Sequence, residues 1–384
     1  MANKPNIRFK GFTEEWKNSA FGTEVTSMSY KKYVKSPEPL GMYPIIQQGD
    51  NPICGYANGE PILDYEDKII FGDHTTSVYK PITPFFAATD GIRIFSIKGL
   101  PPFFTYSLFE RYKPKSIGYA RHTLLLLETR ISIPVEQKEA ENIGDYFKKL
   151  NSTITQREKE LEKLKNIKRA LLEKLFPQNG EKVPALRFKE FTEEWGEVAL
   201  GSIADRVTTK NSSKAYTETF TNSAEHGIMS QSDFFDHAIA NQENIAGYYV
   251  VQENDFVYNP RISKLAPVGP INRNKLGRTG VVSPLYTVFR PKNVSVEYLE
   301  VFFMQNSWNK FMNFNGNSGA RLDRFSISDA IFWQMPIQYP QFEEQRKIAK
   351  LITTLSYLLS LREKQLTLLK HTKQALLEQM FVNE

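Results

Sequence analysis

One cysteine, Cys54, occurs in 384 residues, which excludes internal disulfides and any cysteine-built zinc site and fits a reducing cytoplasm. Five histidines leave little for a metal centre. No apolar run approaches the ~18 residues of a membrane span, and Met1 to Lys10 carries no apolar stretch of the secretory kind. There is no G-x-x-x-x-G-K-[ST] loop for ATP phosphates and no glycine-rich turn between a strand and a helix for a dinucleotide. Asn51-Pro52-Ile53-Cys54 and Asn259-Pro260-Arg261-Ile262 approach the Asn-Pro-Pro-Tyr loop of DNA amino-methyltransferases, yet both lack the second proline and the stacking aromatic. Asp64, Glu66, Asp67 and Lys68 stand too close together for a nuclease cluster. Asp73-His74-Thr75-Thr76 has no nucleophile elbow near it and reads as a polar loop or a satisfied core histidine. No enzyme is expected in this chain. What is present is 41% hydrophobic and 24% charged residues, enough for the cores of two or three domains. The net charge of +6 permits nucleic-acid binding without requiring it.

The chain is written twice. Ile7-Arg8-Phe9-Lys10-Gly11-Phe12-Thr13-Glu14-Glu15-Trp16 returns 179 positions later as Leu186-Arg187-Phe188-Lys189-Glu190-Phe191-Thr192-Glu193-Glu194-Trp195, with eight of ten residues identical. Ala170-Leu171-Leu172-Glu173-Lys174-Leu175-Phe176 returns 205 positions later as Ala375-Leu376-Leu377-Glu378-Gln379-Met380-Phe381. The ends of the halves repeat, and their middles do not match.

The repeated trailing segments predict long helices. A 4-3 spacing runs through Ile143, Phe147, Leu150, Ile154, Arg157, Leu161, Leu164, Lys168, Leu171 and Leu175. It is matched 205 residues on by Ile348, Ile352, Leu355, Leu359, Arg362, Leu366, Leu369, Lys373, Leu376 and Met380. Such a seam, with no proline and with charge on the other faces, predicts a coiled coil. Each helix of about 38 residues would be roughly 57 Å long. The first leads from globule one to globule two and the second starts at globule two, so pairing along their length is antiparallel. Arg157 and Arg362 would then meet near the middle, either setting the register or snorkelling to solvent.

The globules predict mixed α/β structure, with strands at 68–71, 91–95, 255–258 and 285–289 and helices at 103–112 and 299–311. The expected class is α+β: two mixed α/β domains joined by two long helices in an antiparallel coiled coil, with an internal pseudo-two-fold repeat. The expected boundaries are 1–135 and 178–338 for the globules with the linker, and 136–177 and 339–384 for the helices. Basic residues cluster in both globules. Between Val257 and Lys292 there are seven (Arg261, Lys264, Arg273, Lys275, Arg278, Arg290, Lys292) and no acid. Between Gly91 and Leu127 there are six (Arg93, Lys98, Arg111, Lys113, Lys115, Arg121) against Glu110 alone, and Tyr30-Lys31-Lys32-Tyr33-Val34-Lys35 adds a third run. Such runs, amid Asn, Gln, Ser and Thr, suit duplex DNA, which rewards clustered cations by counterion release.

These residues resemble the specificity (S) subunits of type I restriction–modification systems, over nearly the whole chain. Tyr43-Pro44-Ile45-Ile46-Gln47-Gln48-Gly49 and Ile69-Ile70-Phe71-Gly72-Asp73-His74-Thr75 look like a first target recognition domain. Asp255-Phe256-Val257-Tyr258-Asn259-Pro260 and Val282-Ser283-Pro284-Leu285-Tyr286 look like a second. The segments from Pro134 to Gln137 and from Pro336 to Gln345 are similar to the family's approach to its spacer helices. The resemblance implies a cytoplasmic, non-catalytic subunit whose globules each read half of a split double-stranded DNA target while the helices act as a ruler. It implies two modification (methyltransferase) subunits carrying S-adenosylmethionine, and restriction subunits using ATP and magnesium, with no cofactor in this chain and no membrane. Two copies of one partner need two like surfaces, which the duplicated Trp16 and Trp195 segments and the helices would provide. The candidate DNA-binding residues are Lys31, Lys32, Gln47, Gln48, His74, Thr75, Arg93 and Arg121 in the first globule. In the second they are Asn259, Arg261, Lys264, Asn272, Arg273, Arg278, Arg321 and Arg324. Arg121 and Arg321 lie alike before the helix approach, where either base reading or a structural salt bridge accounts for them. The readings left beside this one are a stand-alone bipartite DNA-binding regulator and a coiled-coil scaffold.

Overall fold

The computed structural model describes residues 3–382 except 89–90, 119, 179, 235–244 and 319–322. Two compact units emerge: Met1–Glu160 with Arg362–Glu384, and Leu161–Leu361. The division runs through both long helices, Gln137–Lys174 and Phe342–Gln379. The helices are therefore not bodies of their own, as the 136–177 and 339–384 segments suggested; each unit keeps part of both. Apolar burial is the reason. Ile143 and Phe147 join Leu377, Met380 and Phe381 in the core of the first unit. Leu175 and Phe176 join Ile348, Ala349 and Ile352 in the core of the second.

The duplicated leading segments fold alike, and their repeated residues explain why. In the first unit Arg8 forms a two-pronged ion pair with Glu139, Nη2 to Oε2 at 2.7 Å, and Trp16 Nε1 donates to the same Oε2 at 3.1 Å. In the second, Arg187 and Trp195 do the same to Glu344, at 2.9 and 3.1 Å. The far end of the other helix is held as well: Ile7 N–H donates to Gln379 O and Leu186 N–H to Lys174 O, at 2.9 and 2.8 Å, satisfying a carbonyl left over at the helix end. Within each unit the start of one long helix and the end of the other are thus fastened by one short segment and run antiparallel there. Trp16 and Trp195 are 3% and 4% exposed and lie edge-on to Phe381 and Phe176. The tryptophans are consequently internal anchors, while Ile7, Lys10 and the Thr-Glu-Glu stretch 13–15 of the first segment, and Leu186, Lys189, Glu190 and 192–194 of the second, are exposed.

No aliphatic or aromatic side chain of the predicted seam is exposed, from Ile143 to Leu175 or from Ile348 to Met380. Two of its basic interruptions, Arg157 and Lys373, pair with acids. Arg157 points outward to Glu160 at 3.0 Å. Hydrogen bonds from Gln156 and Arg157 hold the Glu160 carboxyl below its ordinary range, and the charge of Arg362 adds to this. Arg362 Nη1 itself donates to Gln365 Oε1 at 3.4 Å. Lys373 reaches Glu110 at 2.7 Å, and Glu110 also accepts from Tyr106 at 3.1 Å.

The middles, unlike in sequence, contain the same sheet. In the first unit its order is Val25–Met28, Ile92–Ile97, Ile69–Gly72 and Val78–Tyr79. In the second it is Ala204–Arg206, Thr287–Pro291, Phe256–Tyr258 and Ile271–Arg273, antiparallel throughout in both. A smaller pair recurs too, Lys17–Ala20 with Arg130–Ile133 and Gly196–Ala199 with Pro336–Tyr339. Inward positions need only be apolar and of suitable volume, so Phe71 and Phe95 serve in one sheet where Phe256 and Phe289 serve in the other. The helix expected at 103–112 spans Pro102–Tyr112. The one expected at 299–311 is two helices, Val296–Met304 and Ser307–Asn315, broken at Gln305 and Asn306.

Candidate nucleic-acid interface

The hairpin between the last two strands of each sheet carries candidate residues in both units, at one topological place. In the first unit it is the loop 73–77. Asp73, 2% exposed, is its hub: Oδ1 accepts from Thr123 N–H and Oγ1 at 2.9 and 2.6 Å, and Oδ2 lies 3.3 Å from Arg93 Nη2. Burial by itself would raise the Asp73 carboxyl; the Thr123 bonds and the Arg93 charge overcome it and hold the group below its ordinary value. Buried His122 completes the anchor. Its Nε2 accepts from Ile117 N–H at 3.0 Å, which leaves the proton on Nδ1, 2.9 Å from Asp73 O. On this base sit half-buried His74, whose N–H donates to Gln48 Oε1 at 3.0 Å and whose Nδ1 lies 3.1 Å from Ala120 O, and exposed Thr75, 2.9 Å from the Ser77 hydroxyl. The Gln48 amide lies against Gly91, φ +100°, where a Cβ would stand 2.1 Å from Nε2, so a side chain there would displace it. Arg121 is exposed between Ala120 and His122, both bonded to the loop. The structure thus brings Gln48, His74, Thr75, Arg93 and Arg121 together. Gln47 is turned to Asn51 O at 2.9 Å. Lys31 and Lys32 are exposed on a separate short turn, Lys31–Tyr33.

The second unit's hairpin loop, 259–270, is longer and lines a cleft of about 610 Å³ with Asn222, Ser223, Gln231 and Tyr286. Three asparagines build its floor. Asn222 Nδ2 donates to Val257 O and Pro270 O, its Oδ1 accepts from Asn272 Nδ2 at 2.7 Å, and its carbonyl accepts from Asn259 Nδ2 at 2.9 Å. Asn259 Oδ1 then accepts the Arg261 N–H at 3.0 Å. Asn259 and Asn272, expected as base readers, spend these amide groups positioning the loop. Arg261 and Lys264 are exposed on the cleft wall. Arg261 lies opposite Arg324 in an antiparallel bridge, and Arg324 lines the adjoining cleft with Leu285 and Thr287. Arg321 lies outside the described residues.

Long-range acids change the charge map. Arg273 pairs with Glu297 and Glu300 at 2.9 and 3.0 Å, Lys275 with Glu300, and Arg290 with Asp255 at 2.7 Å. Lys292 pairs with Asp205, and Arg278 holds Glu218 by two 2.7 Å bonds. Of the seven cations in the acid-free run 257–292, five are neutralised from outside it, and Arg261 and Lys264 have no ion-pair partner among the described residues. Sequence reading passed over Asp73 as a hub, His122 and Asn222; only the Asp-His-Thr-Thr run gave any signal.

No family model matches the chain, and no curated protein matches it in sequence. Solved structures do match in fold. The S subunit of a type I restriction–modification system from M. genitalium superposes with a TM-score of 0.63 at 14% identity, covering 99% of this chain and all of that one. A chain of a type I R-M system, solved in work on complex assembly and conformational transition, gives 0.51 at 15% identity, covering 98% and 99%. The HsdS subunit from Thermoanaerobacter tengcongensis gives 0.42 at 14% identity. Over 99% of its length the chain shares the fold of the M. genitalium S subunit.

Proposed function

We propose that the chain is the DNA sequence-recognition subunit of a type I restriction–modification complex. The observation that carries this is the end-to-end likeness in fold to a specificity subunit, with both duplicated units included. Residues 1–135 would read one half of a bipartite double-stranded target and 178–338 the other. The long helices, paired as an antiparallel coiled coil, would set the spacing and dock two modification subunits on repeated surfaces. The chain itself would be non-catalytic and cytoplasmic. S-adenosylmethionine would be held by the modification subunits, and ATP with magnesium by restriction subunits.

The geometry supports a division of labour within each unit. Arg261, Lys264 and Arg324 in the second, and Lys31, Lys32 and Arg121 in the first, are candidate cations without an ion-pair partner among the described residues and would meet phosphate or guanine. Gln48, His74 and Thr75 present polar groups on a fixed loop. Arg93, Asn259, Asn272, Arg273 and Arg278 shape the surface. The test is genome-wide adenine methylation mapping in a methylation-free bacterial host, with the chain co-expressed with its neighbouring modification subunit and each alone as control. A split motif needing both chains is expected, and exchange of residues 1–135 for those of another specificity subunit should change one block only. Methylation by the modification subunit alone, or a change in both blocks, overturns the reading.

A further inference from the structure

The loop 259–270 has a fixed base and a return limb buried at Ala266 and Val268, 8% and 0% exposed, and its tip stands at the surface. Asn259 N–H donates to Pro270 O at 3.0 Å, Phe325 N–H to Pro260 O at 2.7 Å, and Ile262 N–H to Asp323 O at 2.9 Å. Gly269 closes it at φ +85°, where a Cβ would stand 2.1 Å from Asn259 O, so only glycine lets the two sides approach so closely. The loop's tip is a two-residue turn. Ser263 and Ala266 exchange both backbone hydrogen bonds, at 3.0 and 3.2 Å, and Ser263 Oγ accepts a further one from Ala266 N–H at 3.1 Å. Lys264 and Leu265 are left at the tip, and Leu265 is 70% exposed. A tip of this kind is ordinarily polar, and the fold makes little use of an apolar side chain there. Arg261 and Lys264 flank it without an ion-pair partner among the described residues.

We propose that Leu265 is a wedge: the tip meets a groove of duplex DNA at the second half-site and inserts Leu265 between two stacked base pairs, kinking the duplex there. The proposal rests on the recognition reading above. An apolar side chain driven between base pairs unstacks one step at a cost that flanking phosphate contacts offset. A wedge must be rigid, since a loose tip would fold back on its own apolar surface; the pinned base and doubly bonded turn provide this. The corresponding loop of the first unit, 73–77, has only Asp, His, Thr, Thr and Ser and no such tip, so the kink belongs to the second half-site alone.

The test uses the chain co-purified with its modification subunits and a duplex bearing the mapped motif, end-labelled so that energy transfer reads the bend. Leu265→Ala is compared with Leu63→Ala, a control of similar exposure in the first unit (69%). The wild type and Leu63→Ala should bend the duplex. Leu265→Ala should keep the motif, lose most of the bend and bind about tenfold more weakly. That deficit should vanish on a duplex with a mismatch at one step of the second block, where unstacking is already cheap. A Leu265→Ala complex that bends and binds like wild type, or shows an equal deficit on every duplex, overturns the wedge alone. A wild-type complex with no preference for the motif over random duplex overturns the recognition reading and the wedge with it.

Discussion

Arg261 faces Arg324 across an antiparallel bridge, cation opposite cation, with no acid paired to either among the described residues. Like charges in this position cost stability, whereas the other arginines near by are supplied with carboxylates. A surplus of positive charge kept at a cleft edge marks a place where an anion from outside completes the balance.

Replacing either arginine should therefore weaken DNA binding without weakening the fold. Arg261→Ala and Arg324→Ala are expected to cost about 1–3 kcal/mol of duplex affinity and lower the salt slope by roughly one, with thermal stability unchanged or slightly raised. Arg273→Ala should do the opposite, since it strips Glu300, 7% exposed, of a partner. Filter binding between low and physiological salt, beside thermal melts, separates the two patterns. Equal loss of stability in all three would refute the assignment.

The Arg8–Glu139 and Arg187–Glu344 clamps should matter equally. Glu139→Gln or Glu344→Gln leaves a guanidinium that is 11% exposed without its counter-charge, and about 3 kcal/mol of stability should be lost in the unit concerned. Urea unfolding of the two variants reads this out. A loss confined to one of them would show that the duplicated segments do not carry duplicate loads.

Acid should loosen the first unit's loop. The Asp73 carboxyl lies below its ordinary 3.8 in the folded chain. A depressed folded value gives stability that is fully present above the unfolded value and is lost as pH falls through the folded one. The stability gap between wild type and Asp73→Asn should be wide at neutral pH and close below 3.8. A gap that stays constant through that range would refute the assignment.

Lys80 works in the other direction. It is 9% exposed, donates to Tyr65 O and Pro81 O, and is pushed down to about 8, chiefly by burial, with partial relief from Asp67 and Glu66. Below that value folding must bury an ammonium. Between about 8 and the ordinary 10.5 the unfolded chain holds the extra proton, so stability rises with pH. Lys80→Met should stabilise the protein most at neutral pH and progressively less toward pH 10. Equal stabilisation at both ends would contradict this.

Some of this was legible in the amino-acid order and some was not, and the difference is one of range. The 4-3 seam, the repeated ends and the strand runs at 68–71 and 91–95 depend on neighbours within a few turns or a few residues, so pattern alone determined two long helices and a duplicated plan. The recurrence of one sheet in two dissimilar middles was hidden, because cores accept many apolar sets. Charge was the least readable property. The window 257–292 contains no acid, yet Glu218, Asp255, Glu297, Glu300 and Asp205 reach into it from up to 87 residues away. Which cations are neutralised and which remain for a partner is decided by Coulomb attraction between residues brought close by the tertiary fold. Arg261 and Arg278, indistinguishable in the sequence, were separated by a carboxylate sixty positions from Arg278.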